Sequence, residues 1–231
     1  FFYRGIDVLQ DDGTLTYVTS NAWLDVKYGS DLQGKMLEAS DVKYVFDNRN
    51  QRTFEEADIN TVISVLQRDS SGLGGETSFS AFYRPYESCA EPEIIGDIFQ
   101  GTPAGTQYNL HFAGEQLDVT INDHFRDLTV GQADLWRLGG GEISQMGTLD
   151  GEKTASVTPS GTYSDGKWGR FLRAPDIYFK VLDEAQEQLT TVGELAEIER
   201  GFTTGANKFF YLPKPGEENR HFKGEFDQQT G

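Results

Sequence analysis

Cysteine, histidine and positive charge are what this 231-residue chain has least of. Cys89 is its one cysteine, which excludes an internal disulfide. With only His111, His124 and His221 beside it, no clustered zinc-ligand spacing exists. Cys89 reads as an inert packed thiol. No apolar run approaches the roughly 20 residues that a membrane helix needs, and Phe1-Phe2-Tyr3-Arg4-Gly5 has none of the three regions of a signal peptide. A cytoplasmic protein is the expectation. The sequence also opens without Met and in mid-pattern, which suggests a piece of a longer protein.

Lys and Arg number 20 against 37 Asp and Glu, a formal charge of −17 at pH 7. Phosphate binding draws on Lys and Arg, so this balance taken alone argues against nucleic acid as a partner. The exception is a salt-adapted cytoplasm, where acidic surfaces are general and molar salt screens self-repulsion. Acidic residues dispersed along the whole chain, few Cys and modest Lys fit a halophilic prokaryote. What is abundant is aromatic: 13% of the chain, with three Trp, ten Tyr and sixteen Phe. Such a chain can build a core, which an acidic disordered tail cannot.

The pattern along the chain is α/β. Residues 1–9 look like the end of a helix, and Asp11-Asp12-Gly13 is a turn signal. Leu15-Thr16-Tyr17-Val18-Thr19 reads as a buried strand, Ser30 as the cap of a helix through Leu37, and Val42 to Phe46 and Ile59 to Leu66 as two further strands. Beyond a loop at Leu73-Gly74-Gly75 the order is not readable, although Phe79 to Tyr83 and Leu117 to Ile121 alternate as strands do. Glycine marks loops at 101–105, 139–141 and 147–151. A helix returns after Pro175, and a short periodic stretch follows Thr191.

Generic motifs fail. Residues 201–208 lack the Gly-Lys-Ser/Thr ending of a phosphate loop, and Gly72-Leu73-Gly74-Gly75 lacks the third glycine of a dinucleotide loop. Pro175-Asp176 is not followed by the acidic-x-Lys of a metal-dependent nuclease, and no Gly-x-Ser-x-Gly elbow accompanies His124, Asp123 and Asp127.

Two blocks carry a more specific pattern. The first holds Gly13 to Leu24, Gly29 with its helix, Val45-Phe46-Asp47, Phe54, and Asp58-Ile59-Asn60-Thr61-Val62-Ile63. Residues 3–68 so defined resemble the carboxyl-terminal half of the catalytic domain in adenine-specific DNA methyltransferases of the type IIG and BREX-associated group. The second block runs from Lys167 to Tyr178, with Glu194 to Ile198 and Arg200 to Phe210. It looks like the segment leading out of that catalytic domain and the opening of a target-recognition domain. Together the blocks cover about half the chain.

The resemblance implies the carboxyl-terminal part of a Rossmann-like methyltransferase sheet in residues 1–70, a mixed α+β insertion and connection in 71–190, and a truncated recognition domain in 191–231. The strand at Leu15–Thr19 would be the fifth of the cofactor sheet, and Ile59–Leu66 the antiparallel strand that closes it. Ser20, Asn21, Phe54 and Leu66 would wall a base pocket; Leu66 stands where some relatives carry an aromatic that packs on the extruded base. A strand ending in Thr19-Ser20-Asn21 at the carboxyl edge of a parallel sheet suits ligand binding, and serves equally as a plain strand-to-helix turn. Thr203, Thr204, Gly205, Asn207 and Lys208 offer hydroxyl, amide, cation and backbone donors for phosphates or base edges, and could equally be structural. Lys167, Arg170 and Arg173 are a basic cluster in an acidic chain, which points to double-stranded DNA.

The resemblance also implies S-adenosylmethionine as methyl donor. The family's glycine-rich cofactor turn and its Asn/Asp-Pro-Pro-Tyr/Phe tetrapeptide are both missing from these 231 residues. No catalytic residue is therefore expected in this chain, which alone should not transfer a methyl group. A methyltransferase acting on RNA would differ only in its recognition domain. The competing class is an acidic, non-enzymatic module binding protein or glycan through its aromatics.

Overall fold

The computed structural model describes residues 1–50, 59–68, 72–89, 91–112, 115–145, 157–185, 188–190 and 192–197. Two compact units divide the chain, Phe1–Leu189 and Thr190–Gly231. In the second, the described residues hold one short helix, Val192–Leu195.

In the first unit, helix α1 (Phe2–Val8) leads through a turn with Asp12 at φ 60° into strand β1 (Thr14–Ser20). A 3-10 turn at Asn21–Leu24 precedes α2 (Lys27–Ala39), β2 (Asp41–Asn48), β3 (Thr61–Gln67) and β4 (Glu76–Phe82). Two short helices follow, α3 (Tyr86–Cys89) and α4 (Pro92–Phe99), the latter with Pro in its first turn where the missing N–H is harmless. Then come β5 (Thr106–Phe112), β6 (Glu115–Ile121), β7 (Phe125–Gly131) and α5 (Gln132–Leu138). The small hairpin sheet of β8 (Glu142–Gln145) and β9 (Val157–Ser160) precedes α6 (Gly169–Arg173) and α7 (Asp176–Ala185).

The chain is thus an α/β protein with a seven-stranded mixed sheet, ordered β1-β3-β2-β4-β7-β6-β5, and a two-stranded one. β2 and β4 are parallel and every other neighbouring pair is antiparallel. Strands from 1–70 and from 71–190 therefore share one sheet. No described helix is long and apolar enough to cross a membrane.

Two local expectations need correction. β1 is not a buried strand of a parallel array: it is the sheet's edge, antiparallel to β3, with alternate residues exposed. A β-branched run fits a half-covered edge as well as an interior position, so composition did not separate them. Ser30 does not cap α2, which starts at Lys27; its hydroxyl donates to the Gly166 carbonyl at 3.0 Å from within the helix, tying α2 to the segment before α6.

Period-two alternation sends the apolar residues to two faces. One face carries the larger core: Val45, Val62, Leu66, Phe79, Leu128 and Val130 lie beneath α1, α2, α5, α6 and α7. Trp168 stands edge-on to both Trp23 and Phe79, at 5.8 and 5.6 Å between ring centres. Its indole N–H donates to the Tyr163 hydroxyl at 2.9 Å, which donates in turn to Gln33 Oε1 at 3.0 Å. Gly166 is needed here, because a Cβ would sit 1.8 Å from that hydroxyl. The other face carries a smaller cluster, Phe46, Phe82, Phe125, Cys89 and Ile98, under α3 and α4. Each fully buried Phe or Leu contributes about 1.5–3 kcal/mol relative to exposure. Cys89 is packed as expected, and burial pushes its thiol pKa up, away from reactivity.

Candidate nucleic-acid interface

The carboxyl ends of β1, β2 and β4 lie along one edge of the sheet. At β1 the Ser20 hydroxyl accepts the Ala22 N–H at 3.3 Å, turning the chain into the 3-10 segment, while the Asn21 N–H donates to the Asn60 carbonyl at 3.0 Å. At β2 the Asn48 side chain accepts the Asn50 N–H at 2.9 Å, and Asn50 Nδ2 donates to the Tyr83 carbonyl at 3.0 Å. Asn21, Asp47, Asn48, Arg49, Asn50, Asn60 and Arg173 line a hollow of about 310 Å³ between these ends.

Two features set its electrostatics. Asp47 is only 5% exposed; burial raises its carboxyl pKa, opposed first by Arg173 and then by Arg49. Behind it, Asp176 at the start of α7 accepts from Arg126 at 2.5 Å and from the Tyr83 hydroxyl at 2.8 Å, with Arg49 at 3.8 Å. Burial and the adjacent Asp176 carboxylate hold the Tyr83 phenol well above its ordinary pKa, so it stays a proton donor. Arg126, fully buried, also donates to the carbonyls of Phe171, Leu172 and Ala174 at 2.8–3.1 Å and stacks over Phe179 at 4.6 Å. One guanidinium thereby fixes the α6–α7 corner on the sheet edge.

That corner carries the basic cluster. Lys167, Arg170 and Arg173, with Asp25, Asp165 and Trp168 among others, line a second groove of about 570 Å³. Gly169 opens α6 against Asp25, whose Oδ1 would be 2.1 Å from any Cβ there. Arg173 belongs to both hollows. It pairs with Asp25 and donates to the Asn21 carbonyl at 3.1 Å. Arg170 lies over Phe171 at 4.8 Å, and Lys167 has no ion-pair partner among the described residues.

The structure therefore brings Asn21 together with Arg173 and unites the three cations of residues 167–173, whereas Ser20 turns the chain just before Asn21 and is not among the residues lining either hollow. Nor does the fold bring Leu66 to them. Leu66 pairs with Leu15 and Val42 at the opposite end of β3, fully buried in the main core, about 17 Å along the strand from Ser20. A residue enclosed on every side cannot form the wall of a base pocket. Phe54, Thr203, Thr204, Gly205, Asn207 and Lys208 lie outside the described residues. Arg49, Asn48 and Asn50 were missed in the sequence, and Asp47 and Asn60 were read there only as part of the first block, with no site role; the run Asp47-Asn48-Arg49-Asn50 after an apolar strand was the available signal.

The described lining of the edge hollow does not fit S-adenosylmethionine. Among the described residues it is formed only by Asn, Asp and Arg, with no aromatic or aliphatic side chain for an adenine ring, and a cofactor pocket is normally mostly apolar. Among the described residues no group of three or more His, Cys, Asp or Glu could hold a metal ion. What the arrangement can do is bind: side-chain amides for base or sugar edges, with guanidinium and ammonium groups for phosphates. Neither a protein-family model nor a curated protein matches this chain.

Proposed function

We propose that this chain is part of a site-specific DNA methyltransferase that moves a methyl group from S-adenosylmethionine to the exocyclic amino group of adenine, in a restriction-modification or phage-defence system. The observation that carries the reading is the double role of Arg173. Residues of two blocks about 150 positions apart, each resembling the same family, meet there on one polar edge, Arg173 bonding to Asn21 and pairing with Asp25. The antiparallel β3 between β1 and β2 supports the sheet assignment. In this reading the edge hollow lined by Asn21, with Ser20 beside it in the chain, contributes to the base pocket, and Lys167, Arg170 and Arg173 follow the phosphates. Cofactor and catalytic groups belong to residues outside this sequence, so the chain alone is inactive. The acidic surface then reports a salt-adapted cytoplasm rather than the ligand.

The test is fluorescence anisotropy of a labelled DNA duplex with the full chain, from about 50 to 200 mM KCl. The paired substitution Lys167→Ala and Arg170→Ala should weaken binding of all sequences and flatten the log–log salt slope by about 1 for each phosphate no longer neutralised. A folded wild-type chain that binds no DNA at the lowest salt, or a double variant that binds like wild type, overturns the reading.

A further inference from the structure

The sheet face under α3 and α4 is only half covered. Toward the amino end of β4 it opens into two adjoining hollows of about 370 and 630 Å³, which share Gly101, Asp118, Asp127 and Thr129. On their floor lies the Asp127 carboxylate, 5% exposed. The hydroxyls of Ser78 and Ser80 donate to its Oδ1 at 2.5 and 2.6 Å, and Thr129 adds a third hydroxyl. No Lys, Arg or His among the described residues forms an ion pair with it.

Carboxylates removed from water are ordinarily matched by a countercharge, because hydroxyl bonds alone do not replace hydration. The neighbours leave the deficit standing: Asp118 and Glu76 also line the hollows, and Lys43, the one cation among their described lining residues, is paired with Asp41. The walls are partly aromatic. Tyr44 stacks on Phe46 at 5.6 Å and meets Phe99 edge-on at 4.9 Å, and Phe99 is half exposed at the rim. A carboxylate floor with an aromatic wall suits a cation that has an organic body.

We propose that this groove binds an organic ammonium ligand, a linear polyamine being the fitting class. Guanidinium is the poorer match. Its planar fork needs two free coplanar carboxylate oxygens, whereas Oδ1 of Asp127 already takes two serine hydroxyls; an ammonium group is a compact point charge with three rotatable donors. The extended shape of the two hollows takes a second ammonium toward Asp118 or Glu76. The groove is built by residues other than those of the sheet-edge hollows, so this site stands whether or not the DNA reading does.

The experiment is isothermal titration of the full chain with spermidine at physiological ionic strength. Saturable binding is expected, weakened at least about tenfold by Asp127→Asn. Because the whole protein is acidic, Asp7→Asn on α1 serves as the control: it removes the same charge elsewhere and should leave affinity within about twofold. Should the buried substitution fail to fold, Asp118→Asn, at an exposed position, makes the same comparison and should weaken binding several-fold. Absence of saturable binding, or equal effects of the groove and control substitutions, overturns the proposal.

Discussion

Arg126 and Asp127 are neighbours in β7, both almost out of water, and they face opposite ways. Arg126 points to the helices and finds a carboxylate, three carbonyls and the face of Phe179. Asp127 points to the half-covered face and finds three hydroxyls and, among the described residues, no ion-pair partner. The difference separates two uses of a buried charge. A charge paired from within the fold holds elements together, whereas one with no countercharge among the described residues, beside an open hollow, is available to a ligand.

The largest effect should come from the paired side. Arg126→Met removes the donors of the α6–α7 corner and leaves Asp176 with the Tyr83 hydroxyl and the longer Arg49 pairing. Urea unfolding should show a loss of about 3 kcal/mol, the lower end for a broken buried pair because Asp176 is about a third exposed. A variant as stable as wild type would mean that the corner is held by apolar packing alone. Next is Tyr163→Phe on the same side. It strands the Trp168 indole N–H and Gln33 Oε1, and a thermal melt should register about 1–3 kcal/mol. An unchanged melt would show that those groups find other partners.

The smallest effect concerns Asp127. Burial raises its native pKa above the ordinary carboxylate value that the unfolded chain has, outweighing the hydroxyl bonds that lower it. Between those two values the native state holds more protons than the unfolded state, so wild-type stability rises as pH falls through that window and declines as pH rises out of it. Asp127→Asn lacks this dependence. Relative to wild type it should therefore be more stable near pH 7 than near pH 4, a difference that denaturant titrations at about those two pH values would register. A gap independent of pH would mean that the carboxyl is no harder to ionise in the fold than outside it.

The same strand shows where sequence reading stopped. β4 and β6 were legible because apolar residues alternate there with small or polar ones, and β2 and β3 because they are short runs of apolar and β-branched residues. β7 was not. In Phe125-Arg126-Asp127-Leu128-Thr129 the helix-facing position that a strand pattern reserves for an apolar residue holds Arg126, and no local signal marks a charge whose partners lie 45 to 50 residues downstream. The basic cluster of 167–173 was legible as composition, and its meeting with Asn21 was not, since only the fold joins positions 152 apart. Leu66 was assigned from the resemblance, and a position matched within a strand does not say whether the fold leaves it open to a ligand or buries it in the core.

The opposed charges of β7 have a consequence for pairing. Moving β7 by one residue against β4 or β6 would turn every side chain to the other face. An apolar strand could tolerate such a slip with some repacking. Here it would drive a carboxylate into the Phe171 and Phe179 packing while pulling the guanidinium away from Asp176, two errors at once. Adjacent charges of opposite sign thus act as a ratchet on registration, admitting one alignment of the sheet's central strands and penalising its nearest competitor.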